Sequence, residues 1–76
     1  MGFSYNKLWK ILIDEEMNKT EFQKAVGLSP TTVAKLGKNE TVNMEIIARI
    51  CDYFYCGIED IVSYSPEKRK YENKDK

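Results

Sequence analysis

Apolar residues recur along this chain at intervals of three and four, in successive blocks parted by capping residues and glycines. Between Tyr5 and Met17 the apolar set Tyr5, Leu8, Trp9, Leu12 and Ile13 is interleaved with Asn6, Lys7, Lys10, Asp14 and Glu15. Such spacing lays the apolar side chains along one stripe of a helix, and Ser4 is placed to cap it. Asn18 followed by Glu21 has the form of a capping box, so a second, short helix is predicted from Lys19, with Phe22 and Val26 inward and Gly27 at its stop. Ser29-Pro30 repeats the start signal and opens a third helix that buries Val33 and Leu36 and ends at Gly37. Asn43 caps a fourth, whose positions Met44, Ile47, Ala48, Cys51, Phe54 and Tyr55 hold the strongest periodicity in the chain, with Ile50 flanking that stripe and Gly57 closing it. The stretch IEDIV, Ile58 to Val62, reads as a short fifth helix, and no segment shows sustained strand alternation. The pattern therefore predicts an all-α, compact five-helix bundle over residues 1–62. From Ser63 onward Pro66 and eight charged residues predict a mobile tail.

Composition narrows the function classes. A chain of 76 residues has room for one domain, and at this size folding buries only about 60% of the surface the unfolded chain exposes. The longest uncharged, mostly apolar run, Tyr53 to Ile58, is far short of the roughly 20 residues that span a bilayer, and no signal-peptide pattern is visible, so a cytoplasmic location is expected. Cys51 and Cys56 do not resemble a secreted disulfide framework and are expected to be reduced thiols, with Cys51 in the core. With no histidine and only these two cysteines, a zinc site of the usual ligand spacing cannot be built, and a histidine-based triad is excluded. Neither enzyme activity, a metal nor a cofactor is expected.

Helices two and three are parted by only about three residues around Gly27, and short helices so joined cross steeply, as in a helix-turn-helix. Phe22, Val26, Leu28, Val33 and Leu36 supply the packing such a unit needs. Thr31, Thr32 and Lys35 are then left free near the start of helix three, where the recognition helix of that motif meets base edges in the major groove. Lysine donates to guanine N7 and O6, and threonine offers a hydroxyl or a methyl group. Twelve basic and twelve acidic residues cancel overall, yet they are unevenly placed. Asn18 to Asn43 carries +2, and Met44 to Val62 carries −3, which turns the acidic end away from a polyanion.

On these residues the chain resembles the Cro and phage-repressor-like (XRE family) helix-turn-helix domains, small regulators of bacteria and phages. The likeness runs from about Tyr5 to Val62 and is carried by MNKTEFQKAVGLSPTTVAKLGKNETVNMEIIARICDYFYCGIEDIV. Gly27 stands at the turn position, Leu28 follows it, and Val33 and Leu36 match the paired apolar positions. One departure is Gln23, where the family commonly has a small residue. The resemblance implies a lambda-repressor-like bundle that binds double-stranded DNA, commonly as a homodimer on an inverted repeat, and a transcriptional repressor. By position it assigns base reading to Thr31, Thr32 and Lys35. Lys19 and Thr20 match the start of helix two, where backbone and sometimes bases are touched, and Lys38, Asn39 and Asn43 match phosphate contacts.

Ile46, Tyr53 and Tyr55 exceed what one face of helix four needs, and they form a candidate dimer surface. The basic run Lys68 to Lys70 has Glu67 and Glu72 beside it and reads as solvated tail rather than as a DNA-binding arm. A rival use of the same fold is a protein-interaction module, antitoxin-like or adaptor, in which the acidic face of helices four and five binds a partner and DNA affinity is incidental.

Overall fold

The computed structural model describes residues 2–66. Their order is β1 (Gly2–Ser4), α1 (Asn6–Asp14), α2 (Lys19–Val26), α3 (Pro30–Gly37), α4 (Met44–Phe54), a 3₁₀ turn (Ile58–Asp60) and β2 (Ser63–Ser65). Four helices surround one core, and a small antiparallel ribbon joins the two ends of the described chain.

The helix starts follow from local chemistry. Asn18 Oδ1 accepts from the Glu21 N–H at 2.7 Å while Glu21 Oε1 accepts from the Asn18 N–H at 2.9 Å, closing the capping box at α2. Ser29 Oγ accepts from the Thr32 N–H at 3.1 Å, and Asn43 Oδ1 from the Ile46 N–H at 3.0 Å. The start of α1 differs from expectation. Ser4 lies in β1, Tyr5 is the first flanking residue with no side-chain cap, and Ser4 Oγ instead accepts from the Asn6 N–H at 3.3 Å.

Helix stops depart further from the glycine pattern. Gly27 does take the left-handed conformation that ends α2, at φ 82°. Gly37, however, lies inside α3, and the left-handed residue after that helix is Asn39 at φ 60°. The α4 helix stops at Tyr55, at φ 59°, two residues before Gly57. The stop of α1 is a left-handed Glu16 at φ 57°; Ile13, inside the helix, faces solvent at 73% exposure, and Met17 beyond the stop packs against the core.

Leu8, Phe22, Leu36, Ile50 and Ile61 are the largest fully buried side chains, one or more from each helix and from the segment after the 3₁₀ turn. The Phe22 ring meets Trp9 edge-on at 6.3 Å and stacks on Phe54 at 6.1 Å, tying α1, α2 and α4 together. Truncating such an aromatic costs about 3–5 kcal/mol, a large share of what a domain this small has. The stripe of α4 is rotated from the predicted one: Ile47 and Ile50 are buried, Met44, Ala48 and Tyr55 are exposed, and Cys51 is half-buried rather than core.

Two expectations are corrected. The fifth helix is a single 3₁₀ turn, held by Asp60 Oδ2 accepting from the Gly57 N–H at 3.1 Å, and Ile61 after it is buried. The chain is also not purely helical. Phe3 faces Tyr64 in the ribbon with ring centroids 4.9 Å apart, so Ser63–Ser65 belongs to the folded unit rather than to a tail. Three-residue strands are too short to leave a period in the sequence. The remainder of the expected tail, including Lys68 to Lys70, lies outside the described residues.

Candidate nucleic-acid interface

Gly27, Leu28 and Ser29 connect α2 to α3. Leu28 is buried beneath the turn, and Arg49 of α4 braces it from outside, its Nη1 donating to the Gly27 carbonyl oxygen at 3.1 Å. The crossing of the two helices is therefore held by apolar packing below and a charged hydrogen bond above.

With Val33 and Leu36 directed inward, Thr31, Ala34, Lys35 and Lys38 fall at i, i+3, i+4 and i+7, and all four are exposed. They make one face of α3 and its first flanking residue. Thr32 is turned to the flank. It is half-buried, and its Oγ1 lies 3.0 Å from Ser29 Oγ, so its hydroxyl is engaged with the cap. Of the expected base-reading set, the structure brings Thr31 and Lys35 together and sets Thr32 aside. Sequence reasoning did not place Ala34 on this face, though its spacing from Thr31 signals it, nor Arg49 at the turn, for which there was no local signal.

The first turn of α2 contains Glu21 and that of α4 contains Glu45, whereas α3 has no acid in its first turn. The N-terminal end of α3 thus presents its partial positive charge without a carboxylate to cancel it.

The flanking candidates divide by what already holds them. Lys19 Nζ sits 4.5 Å from the centre of the Trp9 ring, a cation–π contact, and a Cβ added at Gly37 would lie 3.6 Å from it. The start of α2 and the end of α3 therefore meet at this ammonium group. Thr20 is exposed. Asn39 Oδ1 accepts from the Tyr5 N–H at 3.1 Å, leaving its Nδ2 donors for any phosphate. Tyr5 Oη donates to the Glu40 carbonyl oxygen at 2.8 Å, and burial pushes the phenol's pKa up, which keeps it a donor. Asn43 likewise spends Oδ1 on its cap and keeps Nδ2.

Of the candidate dimer surface, Ile46 is half-buried against the core, while Tyr53 and Tyr55 are 47% and 96% exposed. A second apolar area, not foreseen from the sequence, gathers Phe3, Met44, Ile58 and Tyr64 around shallow depressions beside the ribbon. Among the described residues no three histidine, cysteine, aspartate or glutamate side chains are placed to hold a metal ion, and no helix is long and apolar enough to cross a membrane.

A capped helix presenting polar side chains after a short, braced turn between two helices defines a helix-turn-helix nucleic-acid reader. A family model described as the Cro/C1-type HTH DNA-binding domain matches residues 7–67, and the chain belongs to that family. A search of curated proteins finds no match. Among solved structures, the crystal structure of transcriptional regulator VanUg, Form II, superposes with a TM-score of 0.82 at 52% sequence identity, over 87% of this chain and 88% of that one.

Proposed function

We propose that the protein is a sequence-specific transcriptional regulator, in its simplest form a cytoplasmic repressor that inserts α3 into the major groove of double-stranded DNA. The observation that carries this reading is the exposed face of Thr31, Ala34, Lys35 and Lys38 on a helix whose first turn holds no acid. Lys35 and Thr31 read base edges, the Ala34 methyl group packs against a thymine methyl, and Lys38 meets phosphate. Lys19, Thr20, Asn39 and Asn43 supply the outer contacts, the two asparagines through their Nδ2 donors. Two copies act as a homodimer on an inverted repeat with half-sites about one helical turn apart, and they exclude polymerase by occupying the promoter. Family membership and the likeness to a solved transcriptional regulator support this reading.

Selection of bound sequences from a random duplex library tests it. An enriched inverted repeat is the expected result. A single half-site would remove the dimer, and no enrichment by folded protein would overturn sequence reading. The rival partner-binding module is favoured by one observation, the 96% exposure of Tyr55 at the acidic end. It predicts a function insensitive to Lys35→Ala and sensitive to changes at Tyr53 or Tyr55.

A further inference from the structure

We infer that Cys51 and Cys56 form a site of reversible covalent modification, closing an intrachain disulfide across the C-terminal turn of α4 by exchange with a small-molecule disulfide. Three geometric observations carry this. Tyr55, in the left-handed conformation, folds the chain back on the helix end. The Cys56 N–H donates to the Cys51 carbonyl oxygen at 3.1 Å, which draws together the two backbones a bridge must join. Both free thiols then line the same open depression of about 290 Å³, with Asp52 and Tyr55 as its other walls.

Burial raises the pKa of both thiols, and the charges of Asp52 and Glu59 at Cys51, and of Asp60 and Glu59 at Cys56, raise them further. This environment discriminates among thiol chemistries. Two thiolates around a soft monovalent ion would leave net negative charge beside these carboxylates, and the described residues offer no third ligand for a zinc-type site. A disulfide leaves no charge at all.

The exchange balances in two steps. Cys56 gives up its proton, and its thiolate attacks one sulfur of the small disulfide, breaking that S–S bond and expelling a thiolate that takes up a proton. Cys51 then loses its proton and attacks the Cys56 sulfur of the mixed disulfide, expelling the second small thiolate, which is protonated in turn. The two protein thiols are oxidised and one small disulfide is reduced to two thiols. The raised thiol pKa values make the reaction slow, on the order of minutes to hours without a catalyst. The bridge spans Tyr55 and fixes the segment that carries its exposed ring.

The test equilibrates the full chain with mixtures of oxidised and reduced glutathione, alkylates the remaining thiols and weighs the protein. The expected result is joint loss of both free thiols in a single chain without a retained adduct, reversal on adding reduced glutathione, and a rise in Tm of about 5–10 °C in the oxidised form. In Cys51→Ser, glutathione is expected to remain on Cys56. Thiols that both stay alkylatable in the folded wild-type chain across the series would overturn the proposal, as would chain-to-chain links or a stable mixed disulfide in place of the bridge. The wild-type mass decides even where the serine variant fails to fold.

Discussion

Tyr5 and Asn39, 34 residues apart, are joined by a 3.1 Å hydrogen bond from the Tyr5 N–H to the Asn39 side-chain oxygen, and the Tyr5 hydroxyl closes the same junction on the Glu40 carbonyl. The loop that follows α3 is thus tied to the chain before α1. Asn39 serves twice, since it also holds the left-handed conformation that asparagine tolerates better than most residues. Asn39→Ala is expected to lower stability by about 1–3 kcal/mol, and Asn39→Gly by less, because glycine keeps the backbone and loses only the bond. Urea unfolding midpoints at unchanged m-value give the comparison, and equal losses in the two variants would show that the backbone conformation contributes little.

The Tyr5 phenol adds a pH dependence. Its folded pKa is raised above the ordinary value of 10.0 by burial, so its contribution is fully present below about pH 10 and is lost as pH rises through the folded value. Tyr5→Phe is expected to cost about 0.5–1.5 kcal/mol near neutrality through the lost bond to Glu40, and to unfold less steeply with rising pH than the parent. Thermal melts of both proteins between pH 8 and about 11.5 measure the difference in slope. Parallel curves would remove Tyr5 from the alkaline transition.

The two neighbouring threonines are expected to behave differently on substitution. Thr31→Ala should relax preference at one base pair, by about 1–3 kcal/mol of discrimination, with little change in Tm. Thr32→Ala removes a partner of the Ser29 cap, and stability should fall by about 0.5–1 kcal/mol while sequence preference stays. Lys38→Ala should weaken binding to all duplexes and reduce the salt slope by about one. Binding to a panel of single-base variants at two salt concentrations separates the three; identical profiles for the two threonine variants would refute the division.

Tyr55 occupies a backbone conformation that costs a side-chain-bearing residue about 1–2 kcal/mol, while its ring is 96% exposed and has little packing to lose. Tyr55→Gly is therefore expected to stabilise the isolated domain by about 0.5–1 kcal/mol, and Tyr55→Ala to leave it near the parent. Calorimetry at low protein concentration is the measurement. A loss of stability that grows with concentration would instead place Tyr55 in a seam between copies.

Arg49 tests how far the turn depends on its outer brace. Arg49→Ala is expected to cost about 1–3 kcal/mol in folding, since its single bond to Gly27 is charged. If the brace sets the angle of α3, discrimination between matched and mismatched duplexes should fall by more than affinity for unrelated DNA. A uniform drop across all sequences would make Arg49 a phosphate contact.

What the sequence made legible was local. Asn18 with Glu21, Ser29 with Thr32 and Asn43 with Ile46 are bonds over three residues, and side-chain type and spacing announce them. The helix ends misled because a glycine marks permission for a left-handed residue, not its place. Those sites fall instead at Asn39, which a long-range bond to Tyr5 holds, and at Tyr55, each two residues from Gly37 or Gly57. The ribbon had no local signature, since Phe3 meets Tyr64 across almost the whole described chain. At the candidate interface, donor chemistry singled out Thr31 and Lys35. It gave no sign that Ala34, which has no donor, shares their exposed face, or that the Thr32 hydroxyl lies against the Ser29 cap.

The pairing of Gly2–Ser4 with Ser63–Ser65 has a consequence for how the domain is made. Gly2–Ser4 has no partner until Ser63–Ser65 has been synthesised, and buried Ile61 arrives only just before that strand. The ribbon therefore closes late in the synthesis of the domain, through contacts distant in sequence. The same closure sets positions 2 and 65 side by side, so a short linker joining them would yield a circularly permuted domain, with new ends best opened at the exposed Glu15–Glu16 bend.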